Sequence, residues 1–151
     1  MVKGRVVGHL QIYNAAQFIA TLLLPLQNFL DELVIIDGAW RVFLALGYYD
    51  KAYSTDGTKE IIEALNLKCP WTWVDAPKTG WESHAEKCAE FIKYLKPDDW
   101  QYYMNEDEIP IGDINGAFEE LRRENEAYVV QVPFSELDFK SNRTTLSLIH
   151  I

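Results

Sequence analysis

The sequence predicts an α/β domain of three layers (α/β/α), in which helices cover both faces of a mostly parallel β-sheet. Short runs of β-branched and aromatic residues alternate along the chain with segments of helical periodicity, as in domains of this class. One of these runs, Leu33–Ile36, is apolar at every position, which indicates a strand buried on both faces. The sequence contains no internal repeat, linker or low-complexity tract, so we expect residues 1–151 to form a single domain.

The chain is expected to begin with a strand and a helix. Val6–Tyr13 has the β-branched and aromatic composition of a strand. Ala15–Leu24 has apolar residues at helical spacing, Asn14 is positioned to cap this helix, and Pro25 should kink or end it. The Leu33–Ile36 strand follows.

Two segments separate this second strand from the third. Ala39–Tyr53 is an irregular stretch that is rich in aromatic residues. Ser54–Thr58 contains natural capping residues and opens a helix that continues to Leu65. Trp71–Val74 then has the composition of a third strand.

The second half of the chain continues the alternation. Trp81–Leu95 is expected to be a helix whose apolar face consists of Ala85, Cys88, Ala89, Ile92 and Leu95. Trp100–Met104 is a strand that leads directly into the acidic turn Asn105–Glu108. A helix over Asp113–Arg123 and a fifth strand over Ala127–Phe134 complete the predicted domain.

Charge and composition limit the possible partners. The formal net charge is -9, and an acidic chain repels phosphate backbones, so a nucleic-acid partner is not expected. A small phosphorylated ligand is compatible with this charge if a divalent cation screens the carboxylates. The apolar stretch Ala15–Leu26 is too short for a transmembrane segment. Cys69 and Cys88 are expected to be buried free thiols, with a disulfide as the alternative, so we expect a cytoplasmic protein that at most associates with a membrane surface.

The acidic turn after the fourth strand has the features of a metal site. In an open parallel sheet, the strand ends at Asp37 and Asn105 lie along the edge where ligands bind. Asn105 and Asp107 are two positions apart and point the same way if the strand geometry continues. Magnesium and manganese prefer oxygen ligands, often one or two carboxylates with phosphate oxygens. The pattern favours a divalent-cation site at Asn105 and Asp107, and the alternative is a solvated acidic turn.

Three motifs in this order resemble the family-2 glycosyltransferases of the GT-A fold: Ile36-Asp37-Gly38, Ser54-Thr55-Asp56-Gly57-Thr58 and Asn105-Glu106-Asp107-Glu108. That family typically has a strand ending in Asp, a Ser-Thr-Asp-Gly-Thr helix start and a later strand ending in Asp-x-Asp-Glu. The resemblance covers most of the chain. It implies transfer of a sugar from a nucleotide-diphosphate donor to an acceptor hydroxyl, with inversion at the sugar carbon and assistance from manganese or magnesium.

The resemblance also implies roles for individual residues. The family's Asp-x-Asp motif binds the cation that bridges the donor diphosphate, which implies this role for Asp107 first and Asn105 second. The acid at the end of the second strand contacts the donor nucleoside, which implies donor binding by Asp37. A basic residue on the mid-chain helix approaches the donor phosphates, and Lys87 is the match; the alternative is an ordinary solvated helix lysine.

The chain departs from the family pattern at several positions. Asn105 stands in place of Asp, which should weaken metal binding, and Ala15 stands where the family usually has Glu. The Ala39–Tyr53 insert interrupts a segment that is nearly continuous in the family, and its rings either line the donor or acceptor pocket or pack back on the core. The catalytic base is left unassigned, although Glu136 and Asp138 are acidic residues after the fifth strand.

The chain is short for this family. We therefore expect a C-terminally truncated copy from which the acceptor-binding part is missing, with an unspecified glycan, lipid or protein as acceptor. The alternative function is a non-catalytic nucleotide- or sugar-binding module. Nucleotidyltransferases and Rossmann oxidoreductases are disfavoured because the segment after the first strand, Tyr13–Ala16, contains no glycine.

Overall fold

The computed structural model describes residues 4–110, 113, 116, 119 and 134–136. Strands and helices alternate through these residues, which confirms the predicted α/β class. The elements in chain order are β1 (Val6–Ile12), α1 (Ile19–Leu26), β2 (Glu32–Asp37), α2 (Arg41–Ala45), α3 (Thr58–Leu65), β3 (Trp71–Val74), α4 (His84–Ile92), β4 (Trp100–Asn105), β5 (Glu108–Pro110) and β6 (Phe134–Glu136).

Four of the strands form one parallel sheet in the order β3-β2-β1-β4. The two central strands, β1 and β2, are almost completely buried, as their apolar sequences predict. β5 and β6 form a separate antiparallel pair. The described part of the sheet is therefore parallel throughout, in agreement with the sequence prediction.

Helices cover both faces of this sheet. On one face, α1 and α3 pack against alternate residues of the central strands, and this core contains Leu10, Ile12, Ile19, Leu22, Leu26, Leu33, Ile35 and Ile62. On the other face, Phe91 of α4 and the preceding Trp81 pack against Val7, Val34 and Ile36. Successive strand residues point to opposite faces, so the same two strands supply both cores.

The first helix differs from the prediction at both ends. Asn14 does not cap it: the N-cap is Phe18, and Asn14 has a φ of 53° and accepts a hydrogen bond from the backbone of Thr55 through its side-chain oxygen. The helix also continues past Pro25, which lies inside it, and ends at Leu26. Pro25 removes one hydrogen bond, the one that its N–H would have donated to the carbonyl of Thr21 in the preceding turn, and the helix ends one residue later.

The fourth helix, α4, buries a different face from the one predicted. Ala85, Ala89 and Ile92 are exposed, and the buried residues are Lys87 and Phe91. The apolar pattern was misleading because a large aromatic ring fills the space above the sheet and a lysine lies beside it. Ser83 caps this helix and accepts a hydrogen bond from the backbone of Glu86.

The remaining predictions can be compared only in part. The third strand has the predicted bounds, Trp71–Val74. Gly116 and Glu119 are helical, but most of the predicted helix Asp113–Arg123 and of the predicted strand Ala127–Phe134 lies outside the described residues.

Two chemical predictions concern thiols and membranes. Cys69 and Cys88 are free thiols, as expected, although only Cys69 is fully buried. None of the helices in the described part of the chain has the length and hydropathy needed to cross a membrane.

Candidate functional site

A pocket of about 370 Å³ opens at the carboxyl ends of the strands. Its wall consists of Gln11–Tyr13 at the end of β1, Gly38–Trp40 after β2, Asn105–Asp107 at the end of β4 and directly after it, and three further side chains, Phe43, Tyr49 and Lys87. Ligands of parallel α/β sheets bind at this edge. The pocket combines carboxylates, an amine and aromatic rings within one cavity.

Strand register explains why these residues meet. Ile12 pairs with Asp37, and Gln11 pairs with Asn105, so the ends of β2 and β4 lie on either side of the end of β1. Neighbouring strands are about 4.8 Å apart, which places the two outer strand ends about 10 Å from each other. The prediction that Asp37 and Asn105 share one edge of the sheet is confirmed.

The side chain of Asn105 is engaged at both ends. Its Oδ1 accepts a hydrogen bond from the hydroxyl of Tyr103 at 2.8 Å, and its Nδ2 donates to Glu108 at 2.9 Å. An amide oxygen has two lone pairs, so one of them remains for a cation. The turn that follows β4 is therefore held in place by its own first residue.

The two carboxylates of the turn that line the pocket, Glu106 and Asp107, differ in exposure. Asp107 is exposed, and Glu106 is half-buried. Burial raises the pKa of Glu106 above its ordinary value, and the nearby Asp107 adds to this effect. Their oxygens, with that of Asn105, are the hard ligands that magnesium and manganese prefer. In the described part of the chain, no group of three or more histidine, cysteine, aspartate and glutamate side chains is arranged to hold a metal ion.

Lys87 is buried, so the interpretation as a solvated helix lysine is wrong. Only 3% of it is exposed. Its Nζ donates to the carbonyl of Gly38 at 2.8 Å and lies 4.3 Å from the centre of the Trp40 ring, where a cation is attracted to the ring face. Burial lowers the pKa of Lys87 to about 8, against the opposing effect of Glu106 and Asp37. The amine is thus a partly desolvated cation in the pocket wall.

The carboxylate of Asp37 is bonded to Ser54 and is not part of the pocket wall. One oxygen accepts from the Ser54 backbone at 3.0 Å and the other from its hydroxyl at 2.5 Å. Burial raises the pKa of Asp37, and the bonds from Ser54 oppose this change. The wall of the pocket includes the following residue, Gly38, rather than the Asp37 side chain.

The segment Ser54–Thr58 is held against the loop that follows β1. Its side chains accept hydrogen bonds from the backbone N–H groups of Asn14, Ala15 and Ala16. The N-cap of α3 is Gly57, which has a φ of 89°, and Asp56 accepts from the backbone of Thr58. The prediction that one of the polar residues of this segment is the N-cap is wrong, since that position is occupied by Gly57, but the side chain of Asp56 bonds the backbone of both Thr58 and Ala16 and so joins the start of α3 to the loop after β1.

The aromatic insert Ala39–Tyr53 forms a loop closed at its base by a hydrogen bond from the backbone of Ala39 to the carbonyl of Ala52. Its short helix α2 buries no residue. Phe43 and Tyr49 line the pocket, and Tyr49 contacts the ring of Tyr13 with 4.6 Å between ring centres. The sequence leaves two alternatives for the rings of this insert, lining the pocket or packing back on the core. Phe43 and Tyr49 line the pocket.

Two polar residues of β1 were not selected from the sequence. His9 and Gln11 are 0% and 5% exposed, respectively, and Gln11 lines the pocket. The sequence of Val6–Tyr13 contains the pattern that could have identified them, because these two polar residues lie two positions apart in an otherwise apolar strand. Polar side chains on a central strand are buried, so they require specific partners.

Comparison with protein-family models and with curated proteins found no match for this chain.

Proposed function

We propose that this chain is the nucleotide-sugar-binding part of a metal-assisted glycosyltransferase with the GT-A fold. The observation that carries the proposal is the pocket at the carboxyl ends of β1, β2 and β4. It combines oxygen ligands for a divalent cation, a buried cationic side chain and aromatic rings. A nucleotide diphosphate linked to a sugar has groups that match each of these features.

Asp107 and Asn105 are proposed to hold the divalent cation, and Glu106 is a further carboxylate in the same pocket wall. When bound, the cation supplies neutralising charge for the leaving diphosphate. Asp107 offers an exposed carboxylate, whereas Asn105 offers a neutral oxygen that is bonded to the hydroxyl of Tyr103. Without the cation, these carboxylates would repel the donor, since the chain is acidic as a whole.

Lys87, which lines the same pocket, supports the same ligand. Its ammonium group is desolvated, and charge interactions are stronger where water is excluded. The rings of Tyr13, Phe43 and Tyr49 offer flat apolar faces to a base or a sugar. Asp37 contributes indirectly, because its bonds to Ser54 hold the turn that carries Gly38 and Trp40.

The proposed reaction is direct attack of an acceptor hydroxyl on the sugar carbon, with inversion of configuration. A carboxylate that deprotonates the acceptor is required. Of the two acids considered for this role, Glu136 belongs to β6 and Asp138 lies outside the described residues.

Calorimetry of UDP and GDP binding, with and without manganese, tests the proposal. We expect manganese to strengthen binding and Asp107→Ala to abolish this gain. Glu63→Ala is the matched control, because it removes an exposed carboxylate from α3 outside the pocket wall. Metal-dependent binding that survives Asp107→Ala would contradict the assignment.

Turnover separates the proposed enzyme from the alternative of a binding module. The protein is incubated with manganese and a panel of nucleotide-sugars, and the release of nucleotide diphosphate is followed. Release above the uncatalysed rate supports a transferase. Binding without release would identify a non-catalytic nucleotide- or sugar-binding module.

A further inference from the structure

Trp40 lies in the pocket wall, and the ammonium group of Lys87 lies over its ring. The distance from Nζ of Lys87 to the centre of the ring is 4.3 Å, at which a cation is attracted to the face of an indole. The same Nζ donates to the carbonyl of Gly38 at 2.8 Å. Only 3% of Lys87 is exposed, so the ring and the carbonyl stand in for water around this charge.

The backbone around Trp40 fixes the ring in place. Trp40 forms an isolated parallel bridge with Trp81. In this bridge, the N–H of Arg41 donates to the carbonyl of Trp81 at 2.8 Å, and the N–H of Trp81 donates to the carbonyl of Ala39 at 2.9 Å. The indole N–H of Trp81 donates to the carbonyl of Asp37 at 2.6 Å. These bonds tie Trp40 to the end of β2, so its position does not depend on a ligand.

The ammonium group keeps donors for a ligand in the pocket. It has three N–H groups, and its hydrogen bond within the described part of the chain is the one to Gly38. Attraction to a ring face satisfies the charge without a hydrogen-bond acceptor. Burial lowers the pKa of Lys87 to about 8, which leaves the amine mostly charged at neutral pH. Since Lys87 lines the pocket, this charge is available to an anionic group there.

We propose that Trp40 is a positioning residue for the diphosphate of the bound nucleotide-sugar, and that it acts by holding the ammonium group of Lys87 at the pocket rather than by stacking on the base or the sugar. This inference rests on the proposed function. It assigns Trp40 a role different from that of Tyr13, Phe43 and Tyr49, because the cation already occupies one face of its ring.

Calorimetry of pyrophosphate, UDP and GDP binding in the presence of manganese tests this role. Trp40→Leu keeps an apolar side chain but removes the ring, and we expect about 3- to 10-fold weaker binding of all three ligands. Pyrophosphate separates the two roles, because it has neither base nor sugar and would bind unchanged if the ring acted by stacking. Trp40→Phe keeps a ring face and should recover most of the affinity.

A double-mutant cycle shows whether Trp40 acts through Lys87. Lys87→Met alone removes a hydrogen bond from a charged group, so we expect about 10- to 100-fold weaker binding. In the Lys87→Met background, Trp40→Leu should weaken binding no further. A direct contact between the Trp40 ring and the ligand would instead cause the same loss in both backgrounds.

Trp73→Leu is the matched control. It removes another half-buried tryptophan whose ring faces a lysine, with Nζ of Lys59 at 5.2 Å from the ring centre. Trp73 is not part of the pocket wall, so the affinities should stay at wild-type values.

Nuclear magnetic resonance of the ligand-free protein measures the contact itself. Protons over an aromatic face resonate upfield because of the ring current. The ε-protons of Lys87 should therefore move downfield in Trp40→Leu, whereas those of Lys59 should move in Trp73→Leu instead. The signal of Lys87 is identified by its loss in Lys87→Met.

Each measurement can overturn the inference alone. It is overturned if the ε-protons of Lys87 do not move in Trp40→Leu, if pyrophosphate binds that variant with wild-type affinity, or if the full loss persists in the Lys87→Met background. A wild type that binds none of the three ligands overturns the proposed function, and the role of Trp40 in binding falls with it, whatever the ε-proton shifts show.

Discussion

The buried histidine of the central strand makes the stability of this fold dependent on pH. His9 is fully buried, and burial, with smaller effects of His84 and Lys87, lowers its pKa to about 3. In the unfolded chain, its pKa returns to about 6.5. The folded state therefore excludes a proton that the unfolded state binds, and stability is lost as the pH falls below about 6.5.

The size of this loss follows from the two pKa values. A pH of 5.0 lies about 1.5 units below the pKa of His9 in the unfolded chain, so binding of a proton stabilises the unfolded state. In the folded state, His9 stays neutral at this pH. At about 1.4 kcal/mol per unit, the free energy of unfolding falls by about 2 kcal/mol between pH 7.5 and pH 5.0 because of His9 alone. The ring is completely buried, so solvent screening does not reduce this figure.

Urea denaturation at the two pH values measures the effect. The wild type is compared with His9→Gln, which cannot take up the proton, so titrations of other groups cancel in the difference. We expect the stability advantage of the wild type over His9→Gln to shrink by about 2 kcal/mol on going from pH 7.5 to pH 5.0. His84→Gln, at an exposed position, should retain the pH-dependent loss. An advantage of His9 that is the same at both pH values would refute the reasoning.

Three further predictions concern packing and backbone conformation. Phe91→Ala removes a fully buried ring from the second core and should lower the free energy of unfolding by about 3–5 kcal/mol in urea titrations. Gly38→Ala places a Cβ atom 2.3 Å from a neighbouring side chain at a φ of 124°, whereas Gly57→Ala meets nothing within 4 Å at a φ of 89°. The first should cost about 4 kcal/mol or more and the second about 1–2 kcal/mol, and equal losses would contradict the packing described around Gly38. Ser54→Ala removes a hydrogen bond to the buried carboxylate of Asp37 and should cost about 1–3 kcal/mol at neutral pH, with a smaller loss in acid, where that carboxylate is protonated. A loss that grows as the pH falls would rule out this explanation.

The parallel sheet could be predicted from the sequence because its cause is local composition. Leu33–Ile36 is continuously apolar, and only a strand covered on both faces needs such a run. The sharing of one edge by Asp37 and Asn105 then follows from parallel direction alone. Strand register, which pairs Gln11 with Asn105, depends on contacts that composition does not encode.

The details of the site could not be predicted in the same way. The sequence leaves two alternatives for Lys87, a contact with the donor phosphates or an ordinary solvated position, because a lysine on a helix is usually exposed. Its burial depends on Gly38 and Trp40, which are distant in sequence. The engagement of Asn105 with Tyr103 and Glu108 likewise depends on the shape of the turn. Such tertiary partners decide which polar residues remain free to bind a ligand.

The central claim is that the pocket holds a divalent cation together with a nucleotide diphosphate. The most direct test is electron paramagnetic resonance of manganese, in which the signal of the free ion decreases when the ion is bound by the protein. We predict that the wild type removes free manganese much more effectively in the presence of UDP or GDP than either component does alone, and that Asp107→Ala does not. A manganese signal equal to that of the nucleotide without protein would contradict the claim.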